Sequence, residues 1–264
     1  MMDLDLHTHL GSLHLEDVPR LAAALAAAGL GGIAITNSKD ISMAQRLRDA
    51  LPGVLVVVGQ EIAARGYHVL GVHLGEVVAE GQTLAATTAA IHDQGGLAIL
   101  AHPLGTRPNP WRVLRDLAGS GIDAVETYNA LAGYVPLVNA GAARVARRAG
   151  LPGIAASDAH YAPQYLGYGR ITVDAAAPEE IVRRVRAGEF TAAGRPYFDP
   201  ALAWFFARRR CLLCGGKLSF HEEEKIRTCG TCGRVERSAI ACRCGHYLCT
   251  DCWGRRYRAG KAGN

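Results

Sequence analysis

Between Leu4 and Ala187 short apolar or β-branched runs alternate with segments of helical period, and nothing else in the chain limits the fold as much. Leu4–His9 reads as a strand. Asp17–Ala28 reads as a helix with Pro19 in its first turn, Leu21, Leu25 and Ala28 on one face, and Gly29 as its stop. Gly32–Thr36 is a second strand, and Ile41–Ala50 a helix closed by Pro52-Gly53. Val54–Gln60, nearly all valine and so buried on both faces, and Tyr67–Leu74 follow as strands. Next come a helix Thr83–His92, a strand Leu97–Ala101, a helix near Trp111–Leu117 and a strand Asp123–Thr127. A helix opened by Pro136 and closed by Gly150, strands Ile154–Ala156 and Arg170–Val173, and a helix Pro178–Ala187 complete the series. Units of this length imply parallel strands with helices outside, in a closed barrel or an open sheet. No glycine-rich phosphate loop follows the first strand, which argues against a dinucleotide-binding open sheet.

The metal-capable side chains fall in register with these strands. His7 and His9 end the first, Glu61 ends the third, and His102 ends the strand after Gly96. Asn129 ends the next strand, and Asp158 with His160 ends the one after that. A barrel of alternating strands and helices builds its site at the C-terminal ends of its strands.

Charge and cysteine content divide the chain. All eight cysteines lie between Cys211 and Cys252. Residues 208–264 carry 13 lysines and arginines against 5 acidic residues, whereas residues 1–207 carry 16 against 19. Two domains are expected, 1–207 and 208–264, the smaller one basic and suited to a polyanion or an acidic surface. With 49% hydrophobic and 20% charged residues, the chain can bury a core, which excludes a disordered protein. The first residues show no signal-peptide pattern, and no stretch approaches the roughly 18 apolar residues of a membrane helix. The expected location is the cytoplasm, with no membrane partner.

Six motifs together resemble the PHP (polymerase and histidinol phosphatase) family of metal-dependent phosphoesterases. They are Asp5-Leu6-His7-Thr8-His9, Gly59-Gln60-Glu61-Ile62, Gly66-Tyr67-His68-Val69-Leu70-Gly71, Ala101-His102-Pro103, Ile122-Asp123-Ala124-Val125-Glu126 and Ser157-Asp158-Ala159-His160. The resemblance covers nearly all of the first domain. It implies an α/β fold, a distorted (β/α)7 TIM-like barrel, holding two or three divalent ions. Carried over by position, His7, His9, Glu61 and Asp158 would hold the first ion. Glu61 would bridge to a second with His102, and His160 would face a third. His68 lies in a histidine-bearing stretch of small family members and is not read as a ligand. Two departures fall on the third-ion site. Relatives usually continue the first motif with Ser-Asp-Gly, where this chain has Gly11-Ser12-Leu13-His14. They usually read Thr-Asp-His-Asp after the second strand, where this chain has Thr36-Asn37-Ser38-Lys39-Asp40. Two ions are therefore expected in the barrel, with the third position empty or filled by water or Lys39.

Mixed imidazole and carboxylate ligands suit zinc, manganese or iron, and a carboxylate can bridge two ions roughly 3.5–4 Å apart. Such a pair activates a water for in-line attack on phosphorus. Arg107 and Arg195 are candidates to neutralise phosphate, each weighed against an ordinary surface arginine. Asn129 and Lys39 complete the candidate substrate contacts.

The tail reads Cys211-x-x-Cys214, Cys229-x-x-Cys232, Cys242-x-Cys244 and Cys249-x-x-Cys252. Eight thiols in a chain of this kind mean zinc more readily than disulfides, and four ligands per ion make two structural zinc sites of the four-cysteine type. The first four cysteines have the spacing of a zinc ribbon. His246 could replace one of the last four, and a RING-like crossed arrangement stays open, although RING domains place the short Cys-x-His pair second. Arginines 208–210, Arg227, Arg234, Arg237, Arg243, Arg255, Arg256 and Arg258, with Tyr247, Trp253 and Tyr257, could serve nucleic-acid binding. A plain stabilising cap is the competing role. The linker Pro196–Ala207, with Trp204-Phe205-Phe206, is expected to dock the tail. The leading reading is a metal-dependent phosphoesterase acting on a nucleotide or nucleic acid. The alternatives are a weakened barrel serving as a nucleic-acid- or protein-binding adaptor, and a RING-like protein that recruits a protein partner through its zinc module.

Overall fold

Strand β1 (Met2–His9) carries Leu4 and Leu6, both fully buried, into the interior of the first unit, and ends on two histidines. The computed structural model describes residues 1–10, 18–106, 109–132, 137–160, 165–195, 210–249 and 252. It divides into two compact units, Met1–Tyr197 and Phe198–Asn264. The expected boundary at 207/208 and the linker Pro196–Ala207 lie outside the described residues, as do His14, Arg107, Pro136, Trp253 and Tyr257.

After β1 the first unit runs α1 (Val18–Ala28), β2 (Gly32–Ile35), α2 (Ser42–Ala50), β3 (Leu55–Ala64) and β4 (Tyr67–Val72). It continues with α3 (Leu84–His92), β5 (Leu97–Ala101), α4 (Pro103–Thr106), α5 (Pro110–Leu117), β6 (Ala124–Asn129) and α6 (Val138–Ala149). It closes with β7 (Gly153–Ala156), β8 (Ala159–His160), β9 (Gly169–Val173), α7 (Pro178–Arg186) and β10 (Phe190–Gly194). Thr83, the expected start of α3, is its N-cap, and its side chain accepts from Ala86 N.

The strands lie in the order β10-β9-β1-β2-β3-β4-β5-β6-β7, with β8 beside β1. The β1–β2, β2–β3, β5–β6 and β6–β7 pairs are parallel, as the βα alternation requires. The β3–β4 pair is antiparallel because only Arg65-Gly66 joins the strands, and a crossover needs about a dozen residues. Gly66 makes that turn at φ +80°. The β9 strand runs antiparallel to both β1 and β10. The fold is the expected α/β barrel type, and these antiparallel strands are its distortion. The hairpin also carries β3 past Gln60, where it was expected to end, so Glu61 sits inside a strand opposite Leu70.

The sheet nearly closes on itself. At the seam Asp158 N donates to His7 O at 2.9 Å, and β8 pairs with β1. A Cβ at Gly169 would sit 2.2 Å from the Ala156 carbonyl oxygen, so only glycine lets β9 pass β7 this closely.

Inside the barrel, Leu4, Leu6, Val57, Leu70, Leu97 and Ile154 pack with Ile181, Val182 and Val185 of α7. Each fully buried leucine or isoleucine is worth about 1.5–3 kcal/mol relative to exposure. Arg186 of α7 donates to Gly96 O (2.6 Å) and Asp123 Oδ1 (3.0 Å), just before β5 and β6 begin. That helix therefore closes the end of the barrel where the parallel strands start, leaving their C-terminal ends for a site. Outside, α1 and α2 cover β2 and β3 through Leu21, Leu25 and Leu47. On the other side, α3, α5 and α6 cover β4 to β6 through Ile91, Val113 and Val145.

The second unit is built on an antiparallel hairpin of β11 (Leu218–Thr228) and β12 (Val235–Cys242). Among the described residues no helix of the chain is long and apolar enough to cross a membrane.

Candidate metal centre

Six side chains singled out in the sequence meet at the C-terminal ends of the barrel strands. His7 and His9 of β1 bring their Nε2 atoms to 3.1 Å from each other. Glu61 of β3 places Oε2 3.2 Å from His9 Nε2 and Oε1 3.7 Å from His7 Nε2. His102, one residue past β5, approaches Glu61 Oε1 at 3.0 Å. Asp158 lies between β7 and β8 and faces His7, His9, His102 and His160. His102 and Asp158 both hold positive φ, +23° and +54°, values uncommon for residues other than glycine. The turns that aim these two side chains are thus conformationally demanding, as is common at functional sites.

A second ring of residues fixes the first. Glu126 of β6 is 1% exposed and accepts from His7 Nδ1 at 2.9 Å and from His102 N at 2.7 Å. A carboxylate can only accept, so His7 carries a proton on Nδ1 and Nε2 is the ring nitrogen that faces the cluster. Asn129 Nδ2 donates to Glu126 Oε2 and to Asp158 Oδ2, at 3.0 Å each, while its Oδ1 accepts from Ala132 N at 2.6 Å. Asn129 stood among the candidate substrate contacts. The residue is fully buried and its amide is engaged on both sides, so it positions the two carboxylates. Asp5 staples the seam, accepting from Ser157 N (3.0 Å) and Gly167 N (2.8 Å), and burial pushes its carboxyl up to about 6.

The sequence assigned Glu126 no role, although it stood inside a quoted motif. Its signal was a lone carboxylate in the otherwise apolar run Ala124-Val125. His68, not read as a ligand, reaches Glu61 Oε1 through Nδ1 at 2.7 Å and is 41% exposed. Asn37 Oδ1 accepts from Leu10 N, and the backbone carbonyl of Ser38 accepts from Gln60 Nε2. Lys39 is exposed, and Arg195 lays its guanidinium 3.8 Å over the Tyr168 ring.

Divalent ions fit this donor set. Asp158 Oδ1 is buried without a hydrogen bond, although imidazole nitrogens of His160, His7 and His9 stand 3.1, 3.4 and 3.6 Å away. Donors converging on an unsatisfied carboxylate oxygen are what a cation bridges. The charges agree. Burial opposes ionisation of Asp158 and Glu61, yet the surrounding histidines hold both carboxyls well below the usual range. Burial likewise opposes charge on His102, but Glu61, Asp158 and Glu126 push it up to about 9. His9 goes the other way, lowered by burial and by His160. Protons on imidazole thus balance the carboxylates where a metal ion could. Three-donor groups at this centre include His7/His9/Glu61, His7/His102/Asp158 and His9/Asp158/His160.

Comparison with known proteins agrees with the fold. Residues 136–190 match the family model described as PHP-associated. PsfC from Pseudomonas syringae superposes with a TM-score of 0.56 at 16% identity, over 74% of this chain and 91% of that one. A protein from Bifidobacterium adolescentis, described as a metal-dependent phosphoesterase, gives a TM-score of 0.50 at 15% identity, over 70% and 96%. The first unit has the barrel fold of these structures. The lesion-specific endonuclease PfuEndoQ from Pyrococcus furiosus gives a TM-score of 0.50 at 16% identity, over 98% of this chain and 71% of that one. No curated protein sequence matches the chain. Within this barrel, the six candidate ligands carried over by position lie in one cluster.

The cysteines of the second unit gather in two groups of four donors. Cys211, Cys214, Cys242 and His246 form one, and Cys229, Cys232, Cys249 and Cys252 the other, with the donor atoms of each within 4.8 Å of one another. Of the two pairings left open by the spacing, sequential and crossed, these groups follow the crossed one: each early pair meets a later one. Spacing along the chain does not say which segments the hairpin brings together.

Proposed function

We propose that the chain is a metal-dependent phosphoesterase whose substrate is a nucleotide or a nucleic acid. The observation that carries the reading is the convergence of five imidazoles, those of His7, His9, His68, His102 and His160, on Glu61 and Asp158, with one Asp158 oxygen unsatisfied. His7, His9, Glu61 and Asp158 would hold one ion, and Glu61 with His102 a second. When bound, such a pair supplies Lewis acidity and a water of near-neutral pKa. The protein residues prepare the site. Glu126 holds the His7 tautomer, Asn129 keeps the Glu126 and Asp158 carboxylates in place, and the turns at His102 and Asp158 aim their side chains inward. His160, 40% exposed, holds Nδ1 against Asp158 at the open side of the cluster, where a proton can pass between solvent and a departing oxygen.

Nucleic acid is favoured as the substrate class by the basic residues 208–264 and by the likeness to a lesion-specific endonuclease, which extends over 98% of this chain. The test uses purified protein with Mn²⁺ or Zn²⁺ and a panel of nucleotides, phosphomonoesters and single- and double-stranded oligonucleotides. We expect hydrolysis, lost in His9→Ala and in Asp158→Ala. Variants with full activity would refute the site. A panel with no turnover, but with oligonucleotides bound, would instead support the adaptor reading, which the replacement of imidazole by Ser38 favours.

A further inference from the structure

We propose that the second unit binds two zinc ions in interleaved pairs, and that the first ion takes His246, not Cys244, as its fourth ligand. This does not rest on the activity of the barrel.

The pairing follows from contacts between segments distant in the sequence. Cys214 Sγ lies 3.4 Å from Cys242 Sγ, and Cys232 Sγ lies 3.7 Å from Cys249 Sγ. Cys249 N donates to Cys229 Sγ at 3.3 Å, and Gly230 N donates to Tyr247 O at 2.9 Å. Thus 211–214 meets 242–246, and 229–232 meets 247–252. The hairpin explains the exchange, because Leu218 pairs with Cys242 and Thr228 with Val235. The first cysteine pair precedes the open end of the hairpin and meets the third where β12 finishes. The second pair occupies the connection between the strands and waits for the fourth.

The choice of His246 rests on how the turns use their amides. In the first turn, Leu213 N donates to Cys211 Sγ at 3.4 Å, and the next residue, Cys214, is a ligand. In the third turn, Cys244 N donates to Cys242 Sγ at the same distance. Cys244 therefore stands where Leu213 does, as the residue whose amide supports the preceding sulfur. Gly245, at φ +79°, then turns the chain, and Cys242 N donates to His246 O at 3.0 Å, folding the imidazole back to Cys211, Cys214 and Cys242. Cys244 remains an exposed thiol beside the site. Three thiolates and one imidazole make a closed tetrahedral site, as four thiolates do.

Interleaving has a physical consequence. Each ion ties an early segment to a late one, so neither site can form without most of the unit in place. A small unit held this way folds with its metal, and loss of either ion loosens the other. Sequential pairing would allow the two sites to load independently.

The experiment loads the full-length protein with ¹¹³Cd in place of zinc and records correlations between each cadmium and the protons of its ligands. The barrel holds no cysteine, so cadmium coupled to cysteine β-protons reports on this unit alone. We expect two such signals, one joined to Cys211, Cys214, Cys242 and the His246 ring, the other to Cys229, Cys232, Cys249 and Cys252. One ion joined to Cys211, Cys214, Cys229 and Cys232 would overturn the interleaved pairing. Correlation to Cys244 in place of His246 would overturn the ligand choice. Absence of cysteine-bound cadmium would overturn the proposal altogether. Metal titration gives a second readout in the same protein: cooperative filling of the two sites is expected, and independent filling counts against interleaving.

Discussion

Glu126 shows how one buried carboxylate can orient several candidate ligands at once. It accepts from His7, from the His102 amide and from Asn129. Glu126→Gln keeps the shape but turns one acceptor oxygen into a donor. Because the His102 N–H and the Asn129 amide both donate to Oε2, the new NH2 takes the Oε1 side and faces His7 Nδ1, favouring the other imidazole tautomer. We expect metal affinity to fall about 10- to 100-fold, the usual effect of losing such a support. Competition with a chromophoric chelator measures this. An unchanged affinity would show that the His7 tautomer does not depend on Glu126. Asp158 is the complementary residue: with its Oδ1 unsatisfied in the protein alone, Asp158→Asn should lower metal affinity strongly and leave the fold intact by circular dichroism.

Among the elements, the seam between β7 and β9 carries the least tolerance. Gly169 lies so close to the Ala156 backbone that Gly169→Ala has no flexible neighbour to displace. Overpacking against side chains costs about 1–3 kcal/mol, and backbone yields less readily. Thermal unfolding of this variant should therefore show a loss at or above the upper part of that range, whereas Gly188→Ala, with nothing within 4 Å but a positive φ, serves as a milder comparison. The loop after β2 supports a different prediction. If Asn37 and Ser38 leave a third-ion site short of ligands, as the departure from the PHP motif implies, the double change Asn37→Asp with Ser38→His should raise the metal content of the barrel by about one ion. Three well-occupied ions in the unaltered barrel, seen by anomalous scattering, would mean that other residues supply those ligands.

For the whole molecule the expected contrast is between two kinds of metal site. Closed cysteine-rich sites should exchange slowly, and the open barrel cluster, with His160 and His68 partly exposed, should exchange faster. Mild chelation of the full chain should remove the barrel ions first and leave about two zinc ions bound through cysteine. Metal analysis over a time course follows this, and parallel loss from both units would contradict it. If the basic second unit grips polyanions, oligonucleotide affinity should fall steeply with salt, by a slope that charge-removing substitutions at Arg234 and Arg243 reduce.

The sequence by itself determined the alternation of strands and helices, the positions of His7, His9, Glu61, His102, Asp158 and His160, and the paired spacing of the cysteines. All of these rest on local period, on residue type at strand ends, or on short spacings, which a single segment carries. The tertiary structure alone decided the β3–β4 hairpin that places Glu61 inside a strand, the closure at Gly169, the positioning roles of Glu126 and Asn129, and the exchange of partners among the cysteine pairs. Each depends on which distant segments meet. His7 and Glu126 are 119 residues apart in the chain, and no local pattern records that one will orient the other. Only closure of the barrel brings them together, because a buried imidazole and a buried carboxylate each need a partner that their own segment lacks.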